Sequence, residues 1–240
     1  MADENKPQNE LRSARRRELL KMSPLLLAGG LLFPRVRSAL LEGGLGFSDR
    51  ASAALFNRNG KLTFSDAEVV PFSKFPYNYF NVLDPEVDLE QWTLTVEGDV
   101  ARPGEYKLSQ IMALPKVSQN TRHVCVEGWD VIGNFGGTRM GDFLRSVGAS
   151  TSARFVEVEC SDDYYESIDM ESAPHPQSLL CYEMYGKPLD RGHGAPLRLQ
   201  MPTKLGYKQA KYLETLRVTS VLKAKRGYWE DQGYSWFGGL

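Results

Sequence analysis

The sequence predicts an α+β fold, a single domain built on a mixed or largely antiparallel sheet. Three observations support this prediction. Segments that alternate apolar and polar residues are short, the helical segments are equally short, and turn residues separate them at frequent intervals. Neither an internal repeat nor a regular alternation of strand and helix is visible, which argues against a doubly wound parallel sheet.

The individual elements follow from local patterns. Helices are predicted at residues 108–114, which Pro115 ends, and at residues 140–147, which Gly148 ends. Strands are predicted where apolar and polar residues alternate, at residues 92–98, 121–126, 155–159, 197–201 and 216–221.

Length and composition set further limits. The chain has 240 residues, 42% of them hydrophobic, and a formal net charge of -1, which is typical of a folded globular protein. The balance of charge argues against a nucleic-acid binder, which would carry a basic excess. Three cysteines are too few for a disulfide scaffold.

The first residues differ from the rest and predict an export leader. Arg15, Arg16 and Arg17 precede an apolar run at residues 22–33, whose 12 residues are too few to cross a bilayer. This pattern resembles a twin-arginine leader, at residues 1–38, and predicts a periplasmic protein; the alternative is an amphipathic helix with a basic start. The leader could be removed or remain as a membrane tether.

The leader also changes the charge balance of the remainder. Residues 1–38 contain 8 of the 29 basic and 4 of the 30 acidic residues, which leaves a body with a net charge of -5. We expect a linker or N-terminal extension at residues 39–71 and one domain at residues 72–240. Because the twin-arginine route moves proteins that are already folded, usually around a cofactor, a cofactor is the first hypothesis for this domain.

Cys125 is the strongest candidate for chemistry. It ends an apolar strand, precedes the turn at Glu127 and Gly128, and follows Arg122 and His123, which would favour the metal-binding thiolate. Two alternatives remain open: a buried small hydrophobe, and a nucleophile with His193 as its base. No zinc-type spacing of cysteines and histidines is present.

Three further segments offer polar groups to a ligand. Asn78 and Asn81 lie in an aromatic and amide cluster that suits the edge of a heterocycle. His193 and Arg198 lie in a glycine-containing segment, and Lys208 and Lys211 follow Gly206; both segments suit an anionic group. Taken singly, each segment also fits an ordinary turn or a solvated face.

Together these four features resemble the sulfite-oxidase-type molybdopterin-binding family. The order is the same: Tyr77-Asn78-x-Phe80, then Cys125-Val-Glu-Gly-Trp129, then His193-Gly-Ala-Pro-x-Arg198, then Gly206-x-Lys208-x-x-Lys211. Within the family the likeness is greatest to the bacterial periplasmic methionine sulfoxide reductase catalytic subunits and their short relatives. It covers roughly residues 72–240 and implies a mixed α+β domain around one molybdenum–molybdopterin cofactor.

The resemblance also implies residue roles. Cys125 would supply the thiolate to molybdenum, a soft ligand for a redox metal. Asn78, Asn81 and His193 would contact the cofactor. The pterin phosphate would be held by Arg198, Lys208, Lys211 and the backbone of Gln209 and Ala210. Cys160 stands where the reductases have a cofactor-contacting threonine, which is a departure from the pattern.

The implied activity is a two-electron oxygen-atom transfer, with reduction of an S- or N-oxide favoured over sulfite oxidation because Glu127 and Asp130 would repel an anion. Electrons would come from a separate membrane haem protein or cytochrome. Trp129, Tyr164 and Tyr165 are candidates for a substrate pocket, although core packing explains each equally well. The alternatives are a sulfite-oxidase-like dehydrogenase and a non-catalytic module, and a disulfide between Cys160 and Cys181 is a further open possibility.

Overall fold

The computed structural model describes residues 62–80, 85–223 and 225–240, together with Phe47, Asp49 and Ala51. The chain divides into one unit at residues 1–50 and a second at residues 51–240. The predicted leader lies outside the described residues, and so does most of the predicted linker up to residue 61. In the part that is described, no helix has the length and apolar character needed to span a bilayer.

Ten strands and three α-helices make up the described part of the second unit. In chain order they are β1 (Thr93–Gly98), β2 (Gly104–Lys107), α1 (Leu108–Met112), β3 (Lys116–Val124), β4 (Asp130–Arg139), α2 (Met140–Val147), β5 (Phe155–Cys160), β6 (Tyr165–Asp169), β7 (Leu179–Met184), β8 (Lys187–Pro188), β9 (Arg198–Gln200), β10 (Leu213–Thr219) and α3 (Tyr228–Asp231). Short 3₁₀ turns lie at Asp66–Glu68, Phe72–Lys74, Arg191–His193 and Gly206–Lys208.

The strands form two five-stranded sheets. The first has the order β2-β1-β10-β5-β6, and the second has the order β3-β4-β7-β8, with β9 also paired to β7. Strands β1 and β10 are parallel, whereas the other pairs are antiparallel. The predicted mixed α+β fold is therefore confirmed.

The main core lies beneath the first sheet and around α2. This helix buries Met140, Phe143, Leu144 and Val147, whose spacing of three and four residues places them on one face. It ends at Gly148, whose φ of 68° is left-handed and whose N–H caps the last turn. Burying a side chain such as Phe143 contributes roughly 1.5–3 kcal/mol, so this face fixes the helix against the sheet.

The predicted elements occur, with shifted ends, and others were missed. The first predicted strand corresponds to β1, and the predicted helices correspond to α1 and α2. Strand β3 begins five residues earlier than predicted and ends at Val124, so Cys125 lies just beyond it. The sequence did not indicate β2, β4, β6, β7 or β8.

The segments near the N-terminal end and near the C-terminal end of the second unit both run along its surface and approach the same cavity. At the N-terminal end, Phe64 N–H donates to Asn120 O (3.2 Å) and Val70 N–H donates to Ile132 O (3.0 Å), which guides the chain along the second sheet. At the C-terminal end, Leu205 N–H donates to Gly238 O (2.8 Å). Both segments then contribute walls to the same cavity.

Candidate active site

A cavity of about 560 Å³ lies where six chain segments meet. Its size falls within the range of small-molecule and cofactor sites. Aromatic and polar side chains are mixed along its walls. The cavity is lined by some of the residues in each of the segments 75–80, 123–129, 162–164, 192–198, 206–211 and 229–234.

Cys125 lies at the end of β3, in a tight turn. Its N–H donates to Trp129 O (2.9 Å), and Gly128 N–H donates back to Cys125 O (3.2 Å). Gly128 has a φ of 95°, a left-handed conformation that glycine adopts without strain. The turn therefore fixes the cysteine where β3 meets the cavity.

The Cys125 sulfur has polar neighbours. Asn78 Nδ2 donates to Sγ (3.3 Å), and the thiol lies 3.6 Å from Glu127 Oε2. Burial raises the pKa of the Cys125 thiol, an effect that the Asn78 hydrogen bond opposes. The free protein therefore holds a thiol, and a bound metal ion would displace its proton.

His193 presents an unpartnered nitrogen. It ends the Arg191–His193 turn, where Asp190 Oδ1 accepts hydrogen bonds from its backbone N–H (2.9 Å) and is 2.7 Å from Nδ1. Among the described residues, its buried Nε2 has no hydrogen-bond partner. Burial lowers the pKa of His193, so the ring is neutral, with its proton on Nδ1 toward Asp190 and Nε2 left as an acceptor.

Two cations line the cavity beside His193. Arg198 is 4% exposed, and its Nη1 donates to His193 O (3.1 Å). Burial lowers the pKa of Arg198, although arginine stays charged. Lys211 Nζ donates to Asn78 O (2.7 Å) and Gly192 O (2.9 Å), so it also ties together the cavity's segments. The pair provides local positive charge suited to a phosphate.

Gln209 and Ala210 also line the cavity. The Gln209 side chain is engaged internally, because Oε1 is 3.2 Å from His123 Nδ1 and Nε2 donates to Lys204 O (3.2 Å). Its backbone N–H donates to Gly206 O (3.0 Å). Gln209 therefore positions His123 and the turn before it.

Lys208 and Cys160 do not line this cavity. Lys208 is buried among carboxylates: Nζ donates to Glu166 Oε1 (2.8 Å) and forms an ion pair with Glu230. Cys160 ends β5 as a buried thiol, and burial raises its pKa well above the usual value. Asn81 lies outside the described residues.

The possible disulfide between Cys160 and Cys181 is absent. All three cysteines are free in the structure. Cys160 pairs with Leu213 in the first sheet, whereas Cys181 pairs with Gly137 and Arg198 in the second. The two thiols belong to different sheets.

Of the three aromatic candidates for a pocket, Trp129 and Tyr164 line the cavity, but Tyr165 does not. The Tyr165 hydroxyl instead donates to Asp231 (2.8 Å). Tyr77 and Tyr79, from the predicted aromatic and amide cluster, line the cavity, and so do Asp162, Trp229 and Tyr234, to which no site role was given.

His123 lines the cavity but does not favour the Cys125 thiolate as expected, because its ring is buried and uncharged. It alternates with Thr121 and Cys125 on the buried face of β3 and its extension, a period-two pattern that could have placed it there. Its ring stacks on Trp129 with centroids 5.8 Å apart. Burial, reinforced by Arg198, lowers the pKa of His123 to about 3, so it stays neutral near pH 7.

Comparison with known proteins gives relatives for this site and fold. Residues 81–229 match the sequence model of the oxidoreductase molybdopterin binding domain. A protein of Azospira oryzae named as a protein-methionine-sulfoxide reductase subunit, YedZ1, is 48% identical over 167 residues, which are 69% of this chain and 63% of that protein. The catalytic subunit MsrP of Xanthomonas axonopodis pv. citri is 30% identical over 166 residues, 62% of this chain and 51% of that protein.

A solved structure shares the fold. The sulfane dehydrogenase SoxCD from Paracoccus pantotrophus superimposes with a TM-score of 0.54 at 18% identity, over 57% of this chain and 40% of that chain. The chain spans between half and two thirds of the length of the curated relatives described above. The match to the domain covers more than half of the chain and includes Cys125, Arg198 and most of the residues that line the cavity. The chain therefore belongs to the family of oxidoreductases with a molybdopterin binding domain.

Proposed function

We propose that this protein is an exported molybdenum–molybdopterin oxidoreductase that transfers an oxygen atom and two electrons, in the direction that reduces an S- or N-oxide. One observation carries the proposal: the Cys125 thiol, hydrogen-bonded by Asn78, faces the same cavity as the buried Arg198 cation. The relatives named as methionine sulfoxide reductases support the reductase direction.

The residues of the cavity fit such a cofactor. A thiol that can become a thiolate suits the metal, and two cations suit a phosphate. The buried Nε2 of His193, which lacks a partner among the described residues, needs a hydrogen-bond donor, and a pterin ring can provide one. Cys125 would be the protein ligand, Arg198 and Lys211 would hold the phosphate, and Asn78 and His193 would orient the ring system.

When bound, the cofactor supplies the two-electron chemistry. The protein would supply orientation and protons. Reduction of an S-oxide consumes two electrons and two protons and yields a sulfide and water. Glu127 is placed for proton transfer, because its carboxylate lines the cavity near Cys125 and accepts a hydrogen bond from Trp129 Nε1 (3.0 Å).

With Arg198 and Lys211 engaged by the phosphate, the remaining charges of the cavity would favour a neutral substrate over sulfite. Glu127 and Asp162 line it, whereas Asp130 is paired with Arg122 (2.6 Å). Of the two acidic residues expected to repel an anion, Glu127 is therefore the one with this role. Trp129 and Tyr164 would contact the apolar substituents of the oxide. A sulfite-oxidase-like dehydrogenase is the second candidate.

The partner and location also belong to the proposal. A separate electron donor, a membrane haem protein or cytochrome, would reduce the cofactor after each turnover. The twin-arginine pattern in the first 38 residues supports export to the periplasm. Because export by this route follows folding, the cofactor would be inserted in the cytoplasm.

Substitution of the candidate metal ligand tests the proposal. We expect Cys125→Ser to reduce S-oxide turnover with a dye donor at least ~10³-fold while pterin stays bound, because serine is a poor substitute for a soft thiolate ligand. Cys160→Ser is the matched control, since it alters another buried free thiol outside the cavity. It should keep both activity and cofactor.

Metal analysis tests the alternative of a non-catalytic module. Protein purified after expression with cofactor supply should contain about one molybdenum per chain, as one cavity with one thiol ligand implies. A molybdenum content near zero would refute the enzyme proposal. Full activity in Cys125→Ser would refute the ligand role alone.

A further inference from the structure

A buried cluster of charges lies beside the cavity and has no part in the chemistry proposed above. The Lys208 ammonium, 1% exposed, donates to Glu166 Oε1 (2.8 Å) and Ser167 O (3.1 Å). It also forms an ion pair with Glu230. The side chains of Glu166 and Glu230 are 0% and 3% exposed, so water does not solvate their carboxylates.

The charges of this cluster do not balance without a proton. One lysine faces two carboxyl groups, and burying the excess negative charge would be costly. Within the described residues, Glu166 Oε2 and Glu230 Oε2 accept no hydrogen bond, which leaves sites for a proton. Burial raises the pKa of Glu166 to about 8; Lys208 opposes this shift and Glu230 adds to it.

Among the described residues, Lys208 is the cation that pairs with these two acids. Tyr164 and Cys160 face the cluster from the adjoining turn and strand, and burial raises the pKa of each, so both stay neutral. The Tyr207 and Trp236 rings lie 5.7 and 5.6 Å from Lys208 Nζ. One proton must therefore reside on one of the two acids near neutral pH.

The cluster joins two walls of the cavity. Lys208 ends the Gly206–Lys208 turn and directly precedes Gln209, Ala210 and Lys211, which line the cavity. Glu230 lies on α3, next to the lining residue Trp229.

The backbone of α3 extends this link to a second lining residue. The Trp229 carbonyl accepts a hydrogen bond from Tyr234 N–H (3.0 Å). A displacement of Glu230 therefore also displaces Trp229, its neighbour on α3, and Tyr234, which is hydrogen-bonded to Trp229.

We propose that Lys208 is a positioning residue: with Glu166 and Glu230 it forms a buried clamp that shares one proton and holds Trp229 in place as a wall of the cavity. The clamp replaces a cofactor-phosphate role for Lys208. Its importance for substrate binding rests on the function proposed above, whereas its effect on the position of α3 does not.

The chain contains a matched pair for comparison. Lys204, also 1% exposed, donates to Asp169 (2.8 Å) and to Phe237 O (2.7 Å). In this pair one lysine donates to the carboxylate of one acid. An acid-to-amide change should therefore have opposite effects on the thermal unfolding midpoint at Glu166 and at Asp169, although the ammonium-to-oxygen distance is the same.

The first experiment compares Glu166→Gln with Asp169→Asn in the full-length protein, by thermal unfolding from pH 6 to pH 9. Glu166→Gln replaces an acid that can be neutral in the folded protein but ionises above about pH 4.5 in the unfolded chain, so its midpoint at pH 6 should equal or exceed that of the unmodified protein. At pH 9 its midpoint should be higher, because no excess negative charge remains. Asp169→Asn removes the carboxylate that pairs with the buried Lys204 cation and should lower the midpoint at every pH, by roughly 6 °C or more. An equal loss in both variants at pH 6 would overturn the shared proton.

The second experiment uses Lys208→Met on the cofactor-loaded protein. We expect retained pterin, faster backbone hydrogen exchange at residues 227–234, and a severalfold rise in KM for an S-oxide with kcat within about twofold. Adding Glu166→Gln and Glu230→Gln removes every charge of the clamp and should restore slow exchange.

Pterin loss from Lys208→Met, with unchanged exchange at residues 227–234, would overturn the clamp and make Lys208 a cofactor ligand. If the unmodified protein reduces neither an S-oxide nor an N-oxide, the proposed function fails. The exchange and unfolding results still decide whether the clamp exists.

Discussion

At the scale of single residues, Asp190 determines what His193 offers to a ligand. The carboxylate is engaged with the histidine Nδ1 and its backbone N–H, and Tyr77 Oη donates to the second oxygen (3.1 Å). Within the described part of the chain, Nε2 has no hydrogen-bond partner and remains an acceptor. A donor on the ligand is then selected over a second acceptor.

We therefore expect Asp190→Asn to weaken pterin retention. The charge-assisted hydrogen bond to His193 would become a neutral one, at a cost of about 1–2 kcal/mol, or about tenfold in affinity. The measurement is the pterin that remains bound after dialysis. Asp163→Asn is the control, because Asp163 is exposed and its φ of 67° suits asparagine. Equal retention in both variants would contradict the role of Asp190.

At the scale of elements, strand β4 depends on a close approach of two backbones. The pairing of β4 with β7 shifts register between Gly136 and Gly137. A Cβ on Gly137 would lie 2.2 Å from Leu180 O and 2.8 Å from Cys181 Cα, which are backbone atoms that cannot move independently. Glycine is required here by the spacing of the strands.

Gly137→Ala should accordingly destabilise the second sheet by roughly 1–3 kcal/mol, the usual cost of overpacking. Gly136→Ala is the matched control one residue away. Its nearest neighbours would be Glu183 Cβ at 3.1 Å, Glu183 Oε2 at 3.3 Å and Lys116 Cε at 3.7 Å, all farther away than the backbone atoms that Gly137 meets. Denaturant titration of both variants gives the comparison, and equal losses would show that the register shift does not depend on Gly137.

The same strand shows why the sequence predicted some elements and missed others. Strand β1 alternates threonine with buried leucine and valine, so its pattern is visible locally. Strand β4 contains three glycines, which local propensity assigns to turns. It is a strand because β3 and β7 pair with its two edges, and that long-range pairing has no local signature.

At the scale of the whole molecule, two buried groups limit stability at opposite ends of the pH range. His123 has a folded pKa of about 3, below its unfolded value, so the unfolded chain binds a proton first as pH falls. The contribution of neutral His123 to the free energy of unfolding is therefore complete above about pH 6.5 and is lost as the pH falls toward 3. Glu166 has a raised folded pKa of about 8, so its contribution is complete below pH 4.5 and lost as pH rises to about 8.

His123→Asn should flatten the acid side of this profile. Asparagine can still bond Gln209 but does not titrate, so up to about 4 kcal/mol of the loss between pH 6.5 and pH 3 should disappear. The measurement is the free energy of unfolding from urea titrations at several pH values, compared by slope, since the smaller side chain also lowers the absolute stability. An unchanged slope would show that other groups cause acid unfolding.

The candidate site was predictable where chemistry and order along the chain coincide. Cys125, His193 and Arg198 stand in motifs whose order resembles a known family, and these three residues meet at the cavity. The resemblance also assigned Lys208 to the pterin phosphate. The direction of its side chain, however, depends on Glu166 and Glu230, which are distant in sequence. Trp229 and Tyr234 carry no local sign of a site, because packing of the C-terminal segment brings them there.

The cavity takes walls from residues as far apart as Tyr77 and Tyr234. During synthesis, Cys125, Arg198 and Lys211 emerge from the ribosome before Tyr234, the last residue that lines the cavity. A ligand that binds by enclosure therefore cannot be captured by the nascent chain. The complete cavity forms only once residue 234 has joined the fold, so a ligand that needs all of its walls binds at or after that step.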